Sequence, residues 1–449
     1  MTYIIDGKKE KPYNFGNRAV WLIIYFLIAQ SLVIDNNTLL FVSVILSIGY
    51  SLFAKVENVF SLLCGLSMFE SVFSIQGNNA WFLLLLIFVA KILLNNGLKI
   101  NAFSLCSCLI VICLELVNDY ATAGFGQFIV NITCVIFAFM SFVNVSKMNA
   151  KLYDIICSLS FAFICVTYYV LTMEGGIGNY ISSFMSAAYA YRFGHSYGET
   201  VGGAMAIPLY VALIISCTIA FFLLAKRLTG FQKAFGVFTV LITLVVGAMT
   251  VSRSFYLCLL VILVCFLLFK DNKEKKSSKF WIVLAMLSLA IVLFCTESEI
   301  VNKLLESLQL RMDAGVEEGS GGRTDIWLSC INYLLTNPMR LFFGSGATNY
   351  KLIGVMQNEL FSAGSHNLLL DLLMSWGIVG TVSILIVCIS ALKQVTGENR
   401  LRKHSLIPLI TYLVFSLTAL RCCNMKTWIF LLITYVFIVE LNRGERYDT

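Results

Sequence analysis

Charge is what this sequence has least of. Only 13% of its 449 residues are Asp, Glu, Lys or Arg, and it carries just 3 histidines and 4 prolines. An ordinary soluble domain is about 25% charged, so that scarcity excludes one. No Gly-x-x-x-x-Gly-Lys-Ser/Thr stretch occurs, which removes a nucleotide-hydrolysing motor from the chain. No Cys-x-x-Cys pair occurs and no histidine stands at metal spacing from a cysteine. The 15 cysteines, among them Cys106, Cys108, Cys113, Cys157, Cys258 and Cys330, therefore read as small buried hydrophobes. Cys422 and Cys423 are vicinal and receive no role. The first apolar run follows a basic segment and lacks a small-x-small cleavage site, so an uncleaved span is expected there.

What fills the chain instead is hydrocarbon. Hydrophobic residues make up 59% of it and the mean hydropathy is +0.85, a composition that demands a lipid solvent. The apolar runs are continuous over roughly 16–22 residues, with none of the alternation of barrel strands, so the spanning structure is helical. Spans are expected near 19–34, 38–54, 58–75, 80–94, 100–117, 125–146, 152–172, 204–225, 231–250, 254–269, 280–296, 367–391, 405–420 and 427–441. The expectation is an all-α polytopic membrane protein, a single integral membrane domain over 1–449 with about 14 transmembrane helices (12–14). Its two sizeable extracytoplasmic loops are 173–203 and 297–366, the second carrying short amphipathic helices.

Basic residues orient this arrangement. Alternating spans place 23 of the 32 Lys and Arg on the side of both termini, which the positive-inside rule assigns to the cytoplasm. The net charge of +7 is thereby topological, with membrane lipid as its counterpart, and needs no nucleic acid. The other nine are Arg192, Arg253, Lys303, Arg311, Arg323, Arg340, Lys351, Arg421 and Lys426. Six of these nine are arginine, against six of the 23. A guanidinium offers a bidentate fork for phosphate where lysine offers a point charge, so the outer face suits anion recognition. The alternative is ordinary pairing with acids such as Glu297, Glu306 and Glu317.

The chemistry concentrates between Gly319 and Gly380, where the longest polar interval lies. Residues 325–336 read as one amphipathic helix: Asp325, Ser329, Asn332 and Thr336 form its polar face, and Trp327, Ile331, Leu334 and Leu335 the apolar one. Asn337-Pro338 ends it. Arg323 then stands at a helix start, where free backbone N–H groups already favour an anion. His366 precedes an apolar run and supplies an imidazole at the membrane boundary, suited to accept a proton or to donate a hydrogen bond. By itself it reads first as a capping or interfacial histidine, and the company of Arg323, Arg253 and the glycine turn changes that balance. Asn367 and Asp371, four apart on one helix face, are candidates to hold water or sugar hydroxyls, with balancing an arginine as the alternative for Asp371. Arg253 sits between two spans, where a charge is costly unless paired or used, with snorkelling to the headgroups as the alternative; Glu70 and Glu115 are candidate partners or simply interfacial. In the first outer loop Arg192 and His195 lie among Tyr189, Tyr191, Phe193 and Tyr197, rings that stack on sugars or anchor in the lipid interface.

At this point the residues resemble a known family. GGRTDIWLSCINYLLTNPMRLFFGSGATNY followed by SHNLLLDLLMSWGIVG is similar to the signature region of the O-antigen ligase and polymerase superfamily. The residues that carry the likeness are Arg323, Ile326, Trp327, Gly344, Gly346, Asn349, His366, Asn367, Gly377 and Gly380, joined by Arg253 upstream. It covers roughly 231–391. Two departures stand out: Ser375 and Trp376 replace an acidic residue often found before the first glycine of Gly-x-x-Gly, and Phe342-Phe343 replace a Pro-Leu-Phe-Gly type sequence.

The resemblance implies a glycosyltransferase on the outer side of the bacterial cytoplasmic (inner) membrane that works without metal or cofactor. It would move a glycan from undecaprenyl pyrophosphate to an acceptor hydroxyl. With no acidic cluster for a divalent cation, arginines and amides must meet the leaving pyrophosphate. Arg253 and Arg323 are the expected clamps, with Arg311, Arg421 and Arg192 as further binding candidates beside Asn349, Asn367 and Asp371. His366 would orient or deprotonate the attacking hydroxyl, giving inversion. The expected partners are lipid-linked oligosaccharide donor and acceptor, with a chain-length regulator protein as a candidate. A polymerase of O-antigen or capsule type comes first and a ligase to a lipid core second. A lipid-linked oligosaccharide flippase is the reading from another class; it should show internal repeats and mid-span charges, and neither is evident.

Overall fold

The computed structural model describes residues 4–5, 8–9, 15–75, 78–79, 81–96, 102–148, 150–187, 192–194, 201, 203–225, 228–269, 302–303, 305–307, 309–310, 323–357, 364–396, 401–419 and 422–443. Apart from two ladders of two-residue strands, the described chain is helical. The helices are α1 (Phe15–Val33), α2 (Asn37–Phe53), α3 (Val56–Leu66), α4 (Trp81–Asn96), α5 (Ala102–Asn144), α6 (Leu152–Met173), α7 (Ile177–Ala187) and α8 (Gly203–Leu224). There follow α9 (Gly230–Met249), α10 (Arg253–Leu268), α11 (Arg323–Thr336), α12 (Pro338–Phe343), α13 (Asn349–Gln357), α14 (Leu368–Thr396), α15 (Ile407–Ala419) and α16 (Met425–Arg443).

Among the described residues eight helices are long and apolar enough to cross a membrane: Gly16–Val33, Ala102–Tyr120, Gly124–Lys147, Leu152–Met173, Ala206–Leu224, Gly230–Met249, Leu368–Gln394 and Met425–Asn442. Five shorter apolar helices stand at the expected spans near 38–54, 58–75, 80–94, 254–269 and 405–420. The expected span 280–296 lies outside the described residues. The chain is a multi-pass helical membrane protein. Helices suit that solvent because each satisfies its own backbone N–H and C=O groups where no water can.

Two helices are broken by glycine in ways that matter for the site. In α5 Gly124 adopts φ 73°, and the chain folds back on itself there. The proof is a hydrogen bond from Asn131 Nδ2 to Asp119 Oδ2 at 3.0 Å, between residues that a straight helix would hold about 18 Å apart. α5 is therefore a hairpin of two arms. In α14 the break is Gly377, at φ 64°.

Contacts of charged residues gather at the two ends of the bundle. At one end Arg18 Nε donates to Asp154 (2.7 Å), Lys91 Nζ to the Ala54 carbonyl (2.7 Å), and the Arg402 N–H to Asn442 Oδ1 (2.9 Å). At the other, Glu70 receives the Met425 N–H (2.8 Å), Asp371 the Cys422 N–H (2.6 Å), and the hairpin tip of α5 receives the segment 343–349. α11, α12 and α13, all within 297–366, belong to this second end, as does the 192–194 segment, whose Phe193 N–H bonds to the Met249 carbonyl at 2.9 Å.

The amphipathic helix expected over 325–336 is present as α11 and begins at Arg323 itself. Its faces differ from expectation. Ile326, Cys330, Tyr333 and Leu334 pack on Tyr350 and Met374, whereas Ile331 and Leu335 point outward beside Leu328. The inward face is set by what α14 offers, a constraint that the helix's own periodicity does not contain.

The closest backbone approach lies between α12 and α14. A Cβ on Gly344 would meet the Ser375 carbonyl oxygen at 2.3 Å, and one on Gly377 would meet the Phe342 carbonyl carbon and oxygen at 2.4 Å. Both glycines also hold positive φ, so two independent reasons forbid a side chain at either position. Gly344→Ala is expected to lower stability by at least about 2 kcal/mol, read as a lower thermal midpoint in detergent. Gly49→Ala is the control: it sits in α2 with open space around it, so its midpoint should not fall.

Candidate active site

The turn that leaves α12 carries the sequence Gly344-Ser345-Gly346-Ala347-Thr348-Asn349 and is gripped from two sides. From α14, the Met374 carbonyl accepts the Ser345 N–H and the Ser375 carbonyl the Gly346 N–H, each at 2.8 Å. From the α5 hairpin, Asp119 accepts the N–H of Asn349 at 2.7 Å and that of Thr348 at 3.1 Å, while Glu115 lies 3.4 Å from the Ala347 N–H. Asn131 Nδ2, on the second arm, reaches Glu115 (2.6 Å), Asp119 (3.0 Å) and the Thr348 hydroxyl (3.2 Å). Asn118 donates to the Phe343 carbonyl (3.0 Å) and accepts from Arg340 (2.9 Å). Glu115 and Asp119 are buried, and at this depth a buried carboxyl persists only with partners such as these.

Trp376, standing where the family resemblance leads one to expect an acid, donates its indole N–H to Glu115 at 2.7 Å. A carboxyl thus reaches the same neighbourhood from another helix. Glu115 is accordingly taken up by the turn and by Trp376, and Glu70 by the start of α16, where Lys426 stands 3.9 Å away.

Around this anchored turn the structure places the candidate residues. Arg323 opens α11, and Trp327, one turn along, donates its indole N–H to the Ser365 carbonyl at 2.8 Å. That bond sets α11 against the residue just before His366. His366 is buried and takes φ 52°, a left-handed conformation that a residue with a Cβ holds only when its surroundings impose it. Val251, two residues before Arg253, is at φ 50° and buried. For a β-branched residue this is a marked strain. Arg253 opens α10 and is exposed. It lies close enough to Arg323 to be felt electrostatically: burial first, and then the Arg253 charge, push the Arg323 guanidinium below its ordinary value. Arg192 is half-buried beside the α9–α10 corner, held there by the neighbouring Phe193–Met249 bond.

Three other candidates make contacts within the frame. Asn367 Oδ1 accepts the N–H groups of Leu369 (3.0 Å) and Leu370 (3.2 Å) as the cap of α14. Asn349 donates its amide to the Asn118 carbonyl at 3.3 Å within the turn. Asp371 receives the Tyr350 hydroxyl on one oxygen and the Cys422 N–H on the other. The expectation that Asn367 and Asp371 hold water or sugar hydroxyls thus meets side chains already engaged in holding helix ends. Arg311 and Arg421 lie outside the described residues, as does His195. Asn118, Asp119 and Asn131 were missed by sequence reasoning, although Glu115, Asn118 and Asp119 fall at helical spacing on one face of an otherwise apolar run, a signal that was available. Among the described residues no three His, Cys, Asp or Glu side chains converge as metal ligands.

Residues 238–385, from α9 into α14, match the family described as O-antigen ligase. This segment belongs to the O-antigen ligase and polymerase superfamily. Members of that superfamily are glycosyltransferase-like enzymes of polysaccharide assembly that act on lipid-linked oligosaccharides. The chain matches no curated protein. Arg253, Arg311, Arg323, Asn349, His366, Asn367 and Asp371 fall inside the matched segment; Arg192, Arg421 and the acidic hairpin of α5 fall outside it. The superfamily match therefore spans the arginine pair and His366, while the groups that grip the turn come from elsewhere in the chain.

Cys330, on the inward face of α11, tests this packing. Burial, with the nearby Asp371 charge, pushes its thiol up to about 12. Only a minute thiolate fraction remains at neutral pH, and the thiolate is the reactive form. Cys330 should stay unlabelled by a maleimide at pH 7.5 in folded protein and become labelled on unfolding, as read by mass spectrometry.

Proposed function

We propose that the chain is a polymerase of bacterial surface polysaccharide, transferring a glycan from undecaprenyl pyrophosphate to a hydroxyl of another lipid-linked repeat unit. The observation that carries this reading is the meeting of Arg253 and Arg323. Arg253 lies close enough for its charge to add to the lowering of the Arg323 guanidinium that burial begins, and among the described residues neither has a carboxylate partner. Like charges brought together without a counter-ion define a place for an anion with more than one charge, and a pyrophosphate is such an anion. The helix start at Arg323 adds backbone N–H groups to the same place.

In the reaction the bond between the anomeric carbon and the pyrophosphate oxygen breaks, and that oxygen keeps the electron pair. The arginines stabilise the charge as it develops. The acceptor hydroxyl oxygen attacks the anomeric carbon from the opposite face and gives up its proton as the new glycosidic bond forms. His366, held in its strained conformation next to α11, orients that hydroxyl and takes the proton. A single displacement of this kind inverts the anomeric centre. With the short apolar helices and the expected span 280–296 the chain would cross fourteen times, and the positive-inside rule would then assign the end rich in Lys and Arg to the cytoplasm and the site to the outside. Arg192, Arg311 and Arg421 would line the approach of the donor.

The second reading, a ligase passing the glycan to a lipid core, is favoured by the description of the matched family. One experiment separates the two. Purified protein is incubated with lipid-pyrophosphate-linked repeat units in detergent without divalent metal, with and without a lipid-core acceptor, and the glycans are run on a gel. A ladder with the donor alone supports the polymerase. Transfer only when the acceptor is added supports the ligase, and no transfer by folded protein under either condition contradicts both. Arg323→Ala should cost about 2–4 kcal/mol of transition-state stabilisation, with Lys restoring only part. His366→Asn keeps a side chain tolerant of the left-handed backbone and should lower turnover without lowering the amount of folded protein.

A further inference from the structure

Resting on the site reading above, we infer that Asp119, with Glu115 and Asn131, is a positioning residue of the active site, supplied by a hairpin that the family match does not include. The argument is one of connected hydrogen bonds. The turn 344–349 is irregular backbone at the end of a membrane bundle, where unpaired N–H groups are costly. Its amides divide between backbone carbonyls and carboxyl side chains. Those of Ser345 and Gly346 go to backbone carbonyls of α14, and those of Thr348 and Asn349 go to one carboxyl, Asp119. Glu115 approaches a third amide, that of Ala347, at 3.4 Å, so Asp119 is the side chain that takes most of the turn's N–H groups.

What the turn positions follows from its other contacts. Tyr333 of α11 has its hydroxyl 3.3 Å from the Ser345 hydroxyl, and Cys330 and Leu334 of the same helix pack on Tyr350, just beyond the turn. α11 carries Arg323 at its start and reaches the carbonyl before His366 through Trp327. Tyr350 in turn donates to Asp371 in the first turns of α14, the helix that His366 precedes. A displacement of the turn by a fraction of an ångström is therefore passed to both Arg323 and His366. Asn131 and Glu115 complete the device. The single Asn131 amide nitrogen touches both carboxyls and the Thr348 hydroxyl, so it fixes the spacing of the two arms of α5 and of the turn at once. Trp376, hydrogen-bonded to Glu115, ties the same hairpin to the break in α14.

Such a residue acts on geometry and leaves contact with the substrate to others. A misplacement of about 1 Å can cost about 100-fold in rate, which is the scale expected here. The test is Asp119→Asn, which keeps shape and volume but turns one acceptor into an NH2 group facing the turn's own N–H donors. Kinetics are measured with varied lipid-linked donor, and the C2–H signals of His366 and His404 are followed in histidine-labelled protein, the two being assigned with His366→Asn and His404→Asn so that the third histidine, His195, is told apart from them. His404, buried at the opposite end of the bundle, serves as the internal reference.

The inference predicts that kcat falls about 100-fold while KM for the donor changes by less than about threefold, with the His366 signal moving and that of His404 staying in place. Wild-type kcat, or displacement of both histidine signals together with a lowered thermal midpoint, would overturn it, the latter showing a general structural role. Arg323→Ala is measured alongside. If it is inactive while Asp119→Asn is normal, only the positioning inference fails; if it too is normal, the site reading fails and takes the inference with it. Should Asp119→Asn not accumulate in the membrane, Asn131→Ala replaces it under the same criteria.

Discussion

The structure depends on a carboxyl taking hold of backbone. Lipid offers no partner to an unpaired N–H, so a membrane protein can leave the helix only where its own groups receive the freed donors. Between α12 and α13 this chain does leave the helix, and Asp119 takes two of the freed N–H groups. The cost of burying that carboxyl and the cost of exposing those amides offset one another, and neither would be tolerable alone. The glycine contact between α12 and α14 follows from the same requirement. Ser345 and Gly346 can reach the carbonyls of Met374 and Ser375 only if two main chains touch, and Gly344 and Gly377 are where they touch.

The second constraint is electrostatic and points the other way. Where the carboxyls are satisfied by the fold, Arg253 and Arg323 repel one another, and the strain at Val251 and His366 lies beside them. A protein selected for stability alone would relieve these features at modest cost. Their collection at one end of the bundle fits a site for an anionic substrate. The division of labour also fits the family match. The matched segment contains the groups read here as reactive, and the hairpin outside it contains the groups that hold them.

Much of this was legible in the sequence and some was not. The positions of the apolar helices could be read because hydrophobic runs of sufficient length have few alternatives in lipid. The start of α11 at Arg323 could be read because Asn337-Pro338 and the glycines before it bound the helix. Which face of α11 turns inward was not legible, because Ile331 and Leu334 are equally apolar and only α14 distinguishes them. The frame roles of Asn367 and Asp371 were hidden for a related reason. A polar side chain at a helix start is as good a cap as it is a ligand, and the choice rests on partners, Leu369, Leu370, Tyr350 and Cys422, that only the folded chain brings near. Glu115 was in view as a charge beside an apolar run and Asp119 was not, and their partner segment lies more than 200 residues away, as the 232-residue separation of Ala347 from Glu115 shows.

The central claim is that Arg253 and Arg323 hold one anion between them. The most direct test is binding of a polyprenyl pyrophosphate to the purified protein, measured for wild type, Arg253→Ala, Arg323→Ala and the double variant. The account predicts that each single change weakens binding by at least about tenfold and that the two losses are non-additive, since both guanidinium groups serve the same ligand. Strictly additive losses, or pyrophosphate binding unaffected by either change, would contradict it.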